Sequence, residues 1–284
     1  MARAPILFLS HGGGPCWFLA GAGGPFAEMD KDSRGASFLR SLSSPPMTRP
    51  KAILVVSAHW EETVFTVNSF RDGTPLTYDY YGFPASAYAP HSTWPAPSDV
   101  QLQDQVLDLL RAEFGTEGCA KSSSSRGWDH GVFIPLKLAF PEANVPIVQV
   151  SQRGDLDFAA HLRLGKALSP LASEGVWIVG SGSTTHNLRE VGQPAGWCKP
   201  YVDWIHETLL TAHQDSAAAR EKMARMMEQA PNARAAHPRT EHIAPLLVAF
   251  GAAFPGDEAT DVRARCIYSQ TVAGSLSLDS FAFT

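Results

Sequence analysis

The sequence predicts one α/β domain with a mainly parallel central sheet, helices on both faces and a site at the carboxyl ends of the strands. Three observations point there. Four short runs are apolar, broken only by Gln149, and rich in β-branched residues, as strands buried on both faces are. Stretches of helical period lie between them, and alternating strands and helices imply a parallel sheet covered by those helices. No internal repeat or long linker divides the 284 residues, whose 44% apolar and 18% charged content suits one large core.

In chain order, the first predicted strand is Pro5–Leu9 and the second Ala52–Val56. A helix is predicted over Ser98–Phe114, where Ser98 and Gln101 read as a capping box and Val106, Leu109 and Leu110 give an apolar face. "KSSSSRG" at Lys121–Gly127 is a loop too short to separate domains. A strand at Pro146–Val150, a helix at Asp157–Leu168 and a strand at Val176–Val179 follow. Helices are then expected at Tyr201–His213 and, longer, at Ser216–Ala230.

Composition excludes several classes. A formal net charge of −5 gives no support to nucleic-acid binding, which usually shows a basic patch. No apolar run approaches the ~20 residues needed to cross a bilayer. "MARAPILFLSHGGG" is interrupted too early for a signal peptide and reads as the first strand. Cys16, Cys119, Cys198 and Cys266 lie far apart with no CxxC pair, the pattern of reduced thiols in a cytoplasmic protein.

The apolar runs end alike. Leu9 leads to Ser10 and His11, Val56 leads through Ser57 and Ala58 to His59, and Val179 leads through "GSGSTT" to His186. Ligands of open α/β sheets bind at these carboxyl ends, so histidines delivered there by several strands can converge. His11 also opens "HGGGP", which could be an oxyanion-hole loop, a phosphate cradle or a metal ligand on a tight turn. Ester hydrolysis would require a G-x-S-x-G elbow, and the sequence has none. A dinucleotide cradle would require G-x-G-x-x-G opening a helix, where Pro15 and bulky residues stand instead.

The metal reading fits best, because imidazole suits Zn, Cu, Fe and Ni, and three protein ligands with open positions mark a catalytic site. The spacing matches no zinc finger and no HExxH helix. His130 in "RGWDHG" and His237 and His242 in "AHPRTEHIAPL" also stand in distinctive settings, with Glu241 beside His242 at an expected helix start. His161, His206 and His213 fall in predicted helices and read as surface or core-edge residues, while His91 in "YAPHSTWPAP" stays undecided. Asp129 reads either as a carboxylate orienting an imidazole or as a helix cap. Trp60 and Trp128, each next to a motif histidine, are expected around the metal shell. The aromatic "TYDYYGFP" reads equally as a pocket wall or as core packing.

Taken in order, "SHGGGP", "SAHWE", "YDYYGFP", "GWDHG", "GSGSTTHNLR", "HPRTEHIAPL" and "GSLSL" resemble the class III extradiol ring-cleavage dioxygenases, closest to their 4,5-DOPA dioxygenase subgroup. The resemblance implies a single catalytic domain over residues 1–284 that uses O2 to cleave the ring of a DOPA-like or other substituted catechol to a muconic semialdehyde. It implies a non-haem metal, Fe(II) for activity with Zn(II) as an alternative occupant. His11 and His59 match two metal ligands. The third falls at His242, with Glu241 as the competing carboxylate. His186 matches the acid/base histidine and can also touch the metal, and His130 matches a second catalytic histidine. The "YAPHSTWPAP" segment and the "GGGPCWFLAGAGG" loop depart from the subgroup's pattern and are expected to border the pocket. The expected partners are a catechol and O2, without nucleic acid or membrane, and the family allows a homodimer. A zinc-dependent hydrolase on the same histidines is the competing reading.

Overall fold

The structure is a computed structural model that describes residues 3–21, 24–70, 74–88, 93–122, 126–257 and 261–284. Its first strand, β1 (Ile6–Ser10), shows how the core is organised. Side chains alternate across a strand, so Ile6 and Phe8 enter one apolar cluster while Leu7 and Leu9 enter another on the opposite face of the sheet.

The remaining strands are β2 (Ala52–Glu62), β3 (Phe65–Val67), β4 (Cys119–Lys121), β5 (Ile147–Arg153), β6 (Val176–Gly182), β7 (Ala264–Tyr268), β8 (Thr271–Val272), β9 (Leu276–Ser277) and β10 (Ser280–Phe283). Eight of them form one sheet in the order β4-β3-β5-β2-β6-β1-β10-β7, and β8 pairs with β9 separately. The four strands legible in the sequence, β5, β2, β6 and β1, lie side by side and run parallel. Both flanks include antiparallel pairings, β3 with β5 and β10 with β1 and β7. The sheet is therefore parallel at its centre and mixed at its edges.

Ten helices are formed among the described residues: α1 (Arg34–Ser41), α2 (Val100–Phe114), α3 (His130–Ala139), α4 (Phe158–Leu168), α5 (Pro170–Ser173), α6 (Cys198–Thr211), α7 (Ser216–Ala224), α8 (Met226–Gln229), α9 (Ala233–Ala236) and α10 (Ala244–Ala253). Leu102, Leu164, Ile205 and Leu247 bring α2, α4, α6 and α10 onto one face, and Leu39 and Phe133 bring α1 and α3 onto the other. Every residue of α10 is buried, as expected for a helix apolar all round.

Three local expectations are corrected. Ser98 does not cap α2: Asp99 does, accepting from the Leu102 N–H at 3.0 Å, while the Ser98 hydroxyl donates to the Ile147 carbonyl at 3.1 Å. A serine with a strand carbonyl in reach serves the sheet, and the next carboxylate takes the helix end. The stretch Ser216–Ala230 is not one helix, because it breaks at Arg225, whose φ of −106° and ψ of 22° leave the helical region. His161 is not at the surface: it is fully buried, its Nδ1 lies 2.7 Å from the Asp157 carbonyl, and its ring lies edge-on to Phe65. No helix among the described residues is long and apolar enough to cross a membrane.

Candidate metal centre

Each site histidine reaches the carboxyl end of the sheet by its own device. His11 follows β1 directly, and the turn beyond it places Gly12 at φ +72°, where an L side chain would be strained. His59 lies inside β2, not beyond a strand ending at Val56. The β2–β5 register shifts between Val56 and Glu61, and such an irregularity re-aims side chains. The Ser57 hydroxyl supports this stretch by accepting from the His59 N–H at 3.2 Å and donating to Asp129 at 2.7 Å.

His130 is the first residue of α3. Its backbone N–H donates to Asp79 at 3.0 Å, so a distant carboxylate serves the helix start while Asp129 makes no side-chain cap bond. His186 follows β6, its N–H bound to the Ala236 carbonyl at 2.9 Å. His242 sits on the turn before α10, pressed onto β6 where the strand ends in glycine. A Cβ at Gly182 would stand 2.1 Å from the His242 carbonyl oxygen. That oxygen accepts from the Ser183 N–H at 2.9 Å.

These devices bring five imidazoles together. Ring centroids are 4.8 Å apart for His11 and His59, 5.3 Å for His11 and His242, and 4.9 Å for His59 and His242. His130 lies 3.8 Å from His59, and His186 stacks on His242 at 3.5 Å. The Nε2 atoms of His11 and His59 are 3.0 Å apart. Two donor sets, His11 with His59 and His130, and His186 with Glu241 and His242, each keep their ligand atoms within 4.8 Å of one another.

The hydrogen bonds fix which ring nitrogen is free. The Ser181 hydroxyl donates its single proton to the Gly131 carbonyl at 2.5 Å, so toward His11 Nδ1, at 3.0 Å, it can only accept. His11 therefore carries its proton on Nδ1 and presents a bare Nε2. His242 Nδ1 donates to Glu241 at 2.9 Å and His130 Nδ1 to Asp79 at 2.8 Å, with the same consequence for each. Acceptors behind the rings are how metal-binding imidazoles are oriented and made more basic. The donor set thus fits a divalent transition metal.

Electrostatics agree. Burial, reinforced by the neighbouring imidazoles, holds His11 and His242 well below the ordinary histidine value. Burial and His130 push His59 down to about 3 against the opposing pull of Asp79. His186 is lowered by burial, with Glu241 working in the other direction. Burial works to raise Asp79, but its hydrogen bonds with His130 outweigh this and hold it below the usual carboxylate range. Neutral imidazoles keep the lone pairs that a metal needs.

A cavity of about 400 Å³ opens over the cluster and is lined by His59, His130, His186 and His242. The "TYDYYGFP" loop fulfils both of its readings: Tyr80, Tyr81 and Phe83 line the cavity, while Tyr80 also packs on Phe133. Gly12, Gly13, Gly14 and Cys16 place the glycine loop at the cavity as expected. The "YAPHSTWPAP" segment does not border it through any described residue. Trp94 and Ala96 are buried in the core, and His91 lies outside the described residues. Neither Trp60 nor Trp128 lines the cavity: Trp60 donates to Glu62 at 2.8 Å, and Trp128 is wholly buried in the core.

Other polar residues find different roles. Asp129 orients no ring; it stands at the N-cap position of α3, but its carboxylate makes no cap bond and accepts instead from Ser57 and, at 2.6 Å, from Gln149. His237 stands apart from the five, buried, with Nε2 donating to the Thr184 carbonyl at 2.9 Å. His206, which has no special context in the sequence, meets Asp279 at 2.5 Å with Cys266 close by. The four cysteines are unpaired. Sequence reasoning missed Asp79 and Ser181. Asp79 lies in a loop conspicuous for its tyrosines, and Ser181 is one of several serines in "GSGSTT", so no pattern singles out either.

The fold and the site together define an α/β protein with a histidine centre at the carboxyl ends of its strands that could hold a metal. The chain belongs to the family described as the catalytic LigB subunit of aromatic ring-opening dioxygenase, which matches residues 7–276. It is similar to a 4,5-DOPA dioxygenase extradiol from Beta vulgaris, 37% identical over 94% of this chain and 96% of that one. A protein of the same name from Portulaca grandiflora is 35% identical over 83% of each chain. The fold is shared with the crystal structure of an uncharacterized protein from Escherichia coli K12, at a TM-score of 0.75 and 24% identity, covering 99% of this chain and 100% of that one.

Proposed function

We propose that this protein is an extradiol dioxygenase that opens the ring of a substituted catechol beside the diol, giving a muconic semialdehyde. His11, His59 and His242 would hold the metal, Fe(II) for activity. The observation that carries this is the set of buried imidazoles with acceptors behind their Nδ1 atoms, leaving bare Nε2 atoms beneath a cavity of about 400 Å³. Three protein ligands leave adjacent positions open, which is what a chelating diol and O2 require. The similarity to 4,5-DOPA dioxygenases supports a catechol as substrate.

Bound iron would supply the chelating centre for the two hydroxyls and the redox partner for O2. The chain's own groups supply the rest. His186, neutral and lining the cavity, accepts the proton of a substrate hydroxyl, and Glu241, 3.8 Å from its Nδ1, steadies the resulting imidazolium. His130, its Nδ1 committed to Asp79, turns its Nε2 to the substrate and holds the diol in place. Tyr80, Tyr81 and Phe83 wall the ring and limit water. Glu241 keeps the proton on His242 Nδ1 and is a positioning residue in this scheme, not a ligand.

Fe(II)-reconstituted protein, offered a panel of catechols in air, is expected to consume O2 and form a yellow ring-opened product. Zinc-dependent hydrolysis with no oxygen uptake across that panel would overturn the reading.

A further inference from the structure

The cavity over the histidines has a one-sided chemistry. Beyond the imidazoles and Asp79, its walls are the glycine turn, Cys16, Phe26, Met29, Tyr80, Phe83 and Leu276, with the Tyr80 hydroxyl committed to the Ala87 carbonyl at 2.9 Å. No lysine or arginine lines it among the described residues. Arg126 and Arg239, which neighbour site residues in the chain, are held elsewhere: Arg126 by the His59 carbonyl at 2.6 Å, Arg239 by Glu61 at 2.5 Å. Arg189, exposed beside Leu188, is not a lining residue. The one carboxylate of the wall, Asp79, is anionic and would repel another.

The mouth is apolar as well. Three large hydrophobic side chains stand out as exposed among the described residues, and two of them, Tyr81 at 91% and Leu188 at 63%, line this cavity. Scattered exposed apolar residues need no explanation, but two on the rim of one pocket form a patch that a ligand can cover.

We infer that the substrate is a catechol whose ring carries an uncharged, apolar substituent, and that the substituent leaves the cavity between Tyr81 and Leu188. This rests on the ring-cleavage reading for the diol end and on the cavity wall alone for the substituent. A carboxylate on the same path meets no lysine or arginine among the described residues and gains nothing from the apolar rim. An alkyl chain there covers the apolar wall and the rim, and pockets of this kind discriminate by about tenfold or more per methylene.

The test compares 4-butylcatechol with a 4-(2-carboxyethyl)catechol of matching length, and with unsubstituted catechol as reference. Dissociation constants are measured anaerobically on zinc-loaded protein, so that binding is read without turnover. Oxygen uptake is then measured on the iron-loaded protein with all three compounds. The expected result is at least about tenfold tighter binding of the butyl compound than of the carboxylate. Equal or tighter binding of the carboxylate overturns the inference whether or not the ring is opened. Absence of oxygen uptake with any of the three, alongside a butyl preference, overturns the ring-cleavage reading and leaves the inference about the wall standing. Leu188→Ser, at an exposed position, is expected to weaken butylcatechol binding severalfold more than it weakens binding of unsubstituted catechol. An unaltered butyl affinity in that variant removes the rim from the account.

Discussion

Replacing Ser181 with alanine removes one hydroxyl that serves two partners. Ser181 is fully buried, donates to the Gly131 carbonyl at 2.5 Å and accepts from His11 Nδ1 at 3.0 Å. The alanine variant strands a buried acceptor and a buried donor, each costing about 1–3 kcal/mol, so a loss of about 2–6 kcal/mol in unfolding free energy is expected. The second effect is more specific. With no acceptor behind it, His11 no longer has its proton pinned on Nδ1, and metal affinity is expected to fall about 10–100-fold. Urea unfolding of metal-free protein reads the first effect, and chelator competition for Fe(II) or Zn(II) on the folded variant reads the second. A variant that loses stability but binds metal within about twofold of the parent would refute the assignment of the His11 tautomer through Ser181.

Other outcomes follow from the same geometry. His186→Ala is expected to lower turnover by about 10²–10⁴-fold while metal content and fold persist; measured turnover near that of the parent would remove His186 from the proton transfer. Asp79→Asn takes the charged acceptor from behind His130 and is expected to cut turnover by about 10–100-fold, with bound metal per chain unchanged by elemental analysis. His206 is pushed up to about 9 by its hydrogen bonds with Asp279 and then Cys266, against burial. An unfolded histidine titrates near 6.5, so the folded state binds the proton more tightly. The pair's contribution, at most about 3 kcal/mol, is therefore complete below about pH 6.5 and lost as pH rises toward 9. Urea midpoints between pH 6 and 9.5 should fall for the parent more than for His206→Gln.

The legible part of the fold is its buried centre. β1, β2, β5 and β6 announce themselves because strands covered on both faces carry mostly apolar side chains. The flanking strands β3, β4, β7 and β10 run only three to five residues, and a stretch such as Cys119–Lys121 becomes a strand only by pairing with Phe65–Val67. The continuation of β2 through His59 to Glu62 was hidden for a related reason: the register shift interrupts the apolar run where the site begins. Helix ends failed where a tertiary partner outbid a local one, as when Ser98 turned to the Ile147 carbonyl.

The five clustered histidines could be read from their places after strands and beside glycines, and from the family resemblance. What orients them could not. Asp79 is separated by 51 residues from the ring it holds, and Ser181 by 170 from His11. Such pairs arise only when the sheet sets its carboxyl ends beside one another. His206 and Asp279, 73 residues apart, went unnoticed for the same reason.

Equilibrium iron binding to the parent, His242→Ala and Glu241→Ala proteins bears most directly on the histidine centre. The account expects one tight Fe(II) per parent chain, loss of that ion in His242→Ala, and an affinity reduced by about 10–100-fold in Glu241→Ala. Retention of the tight ion by His242→Ala, with its loss confined to Glu241→Ala, would contradict it.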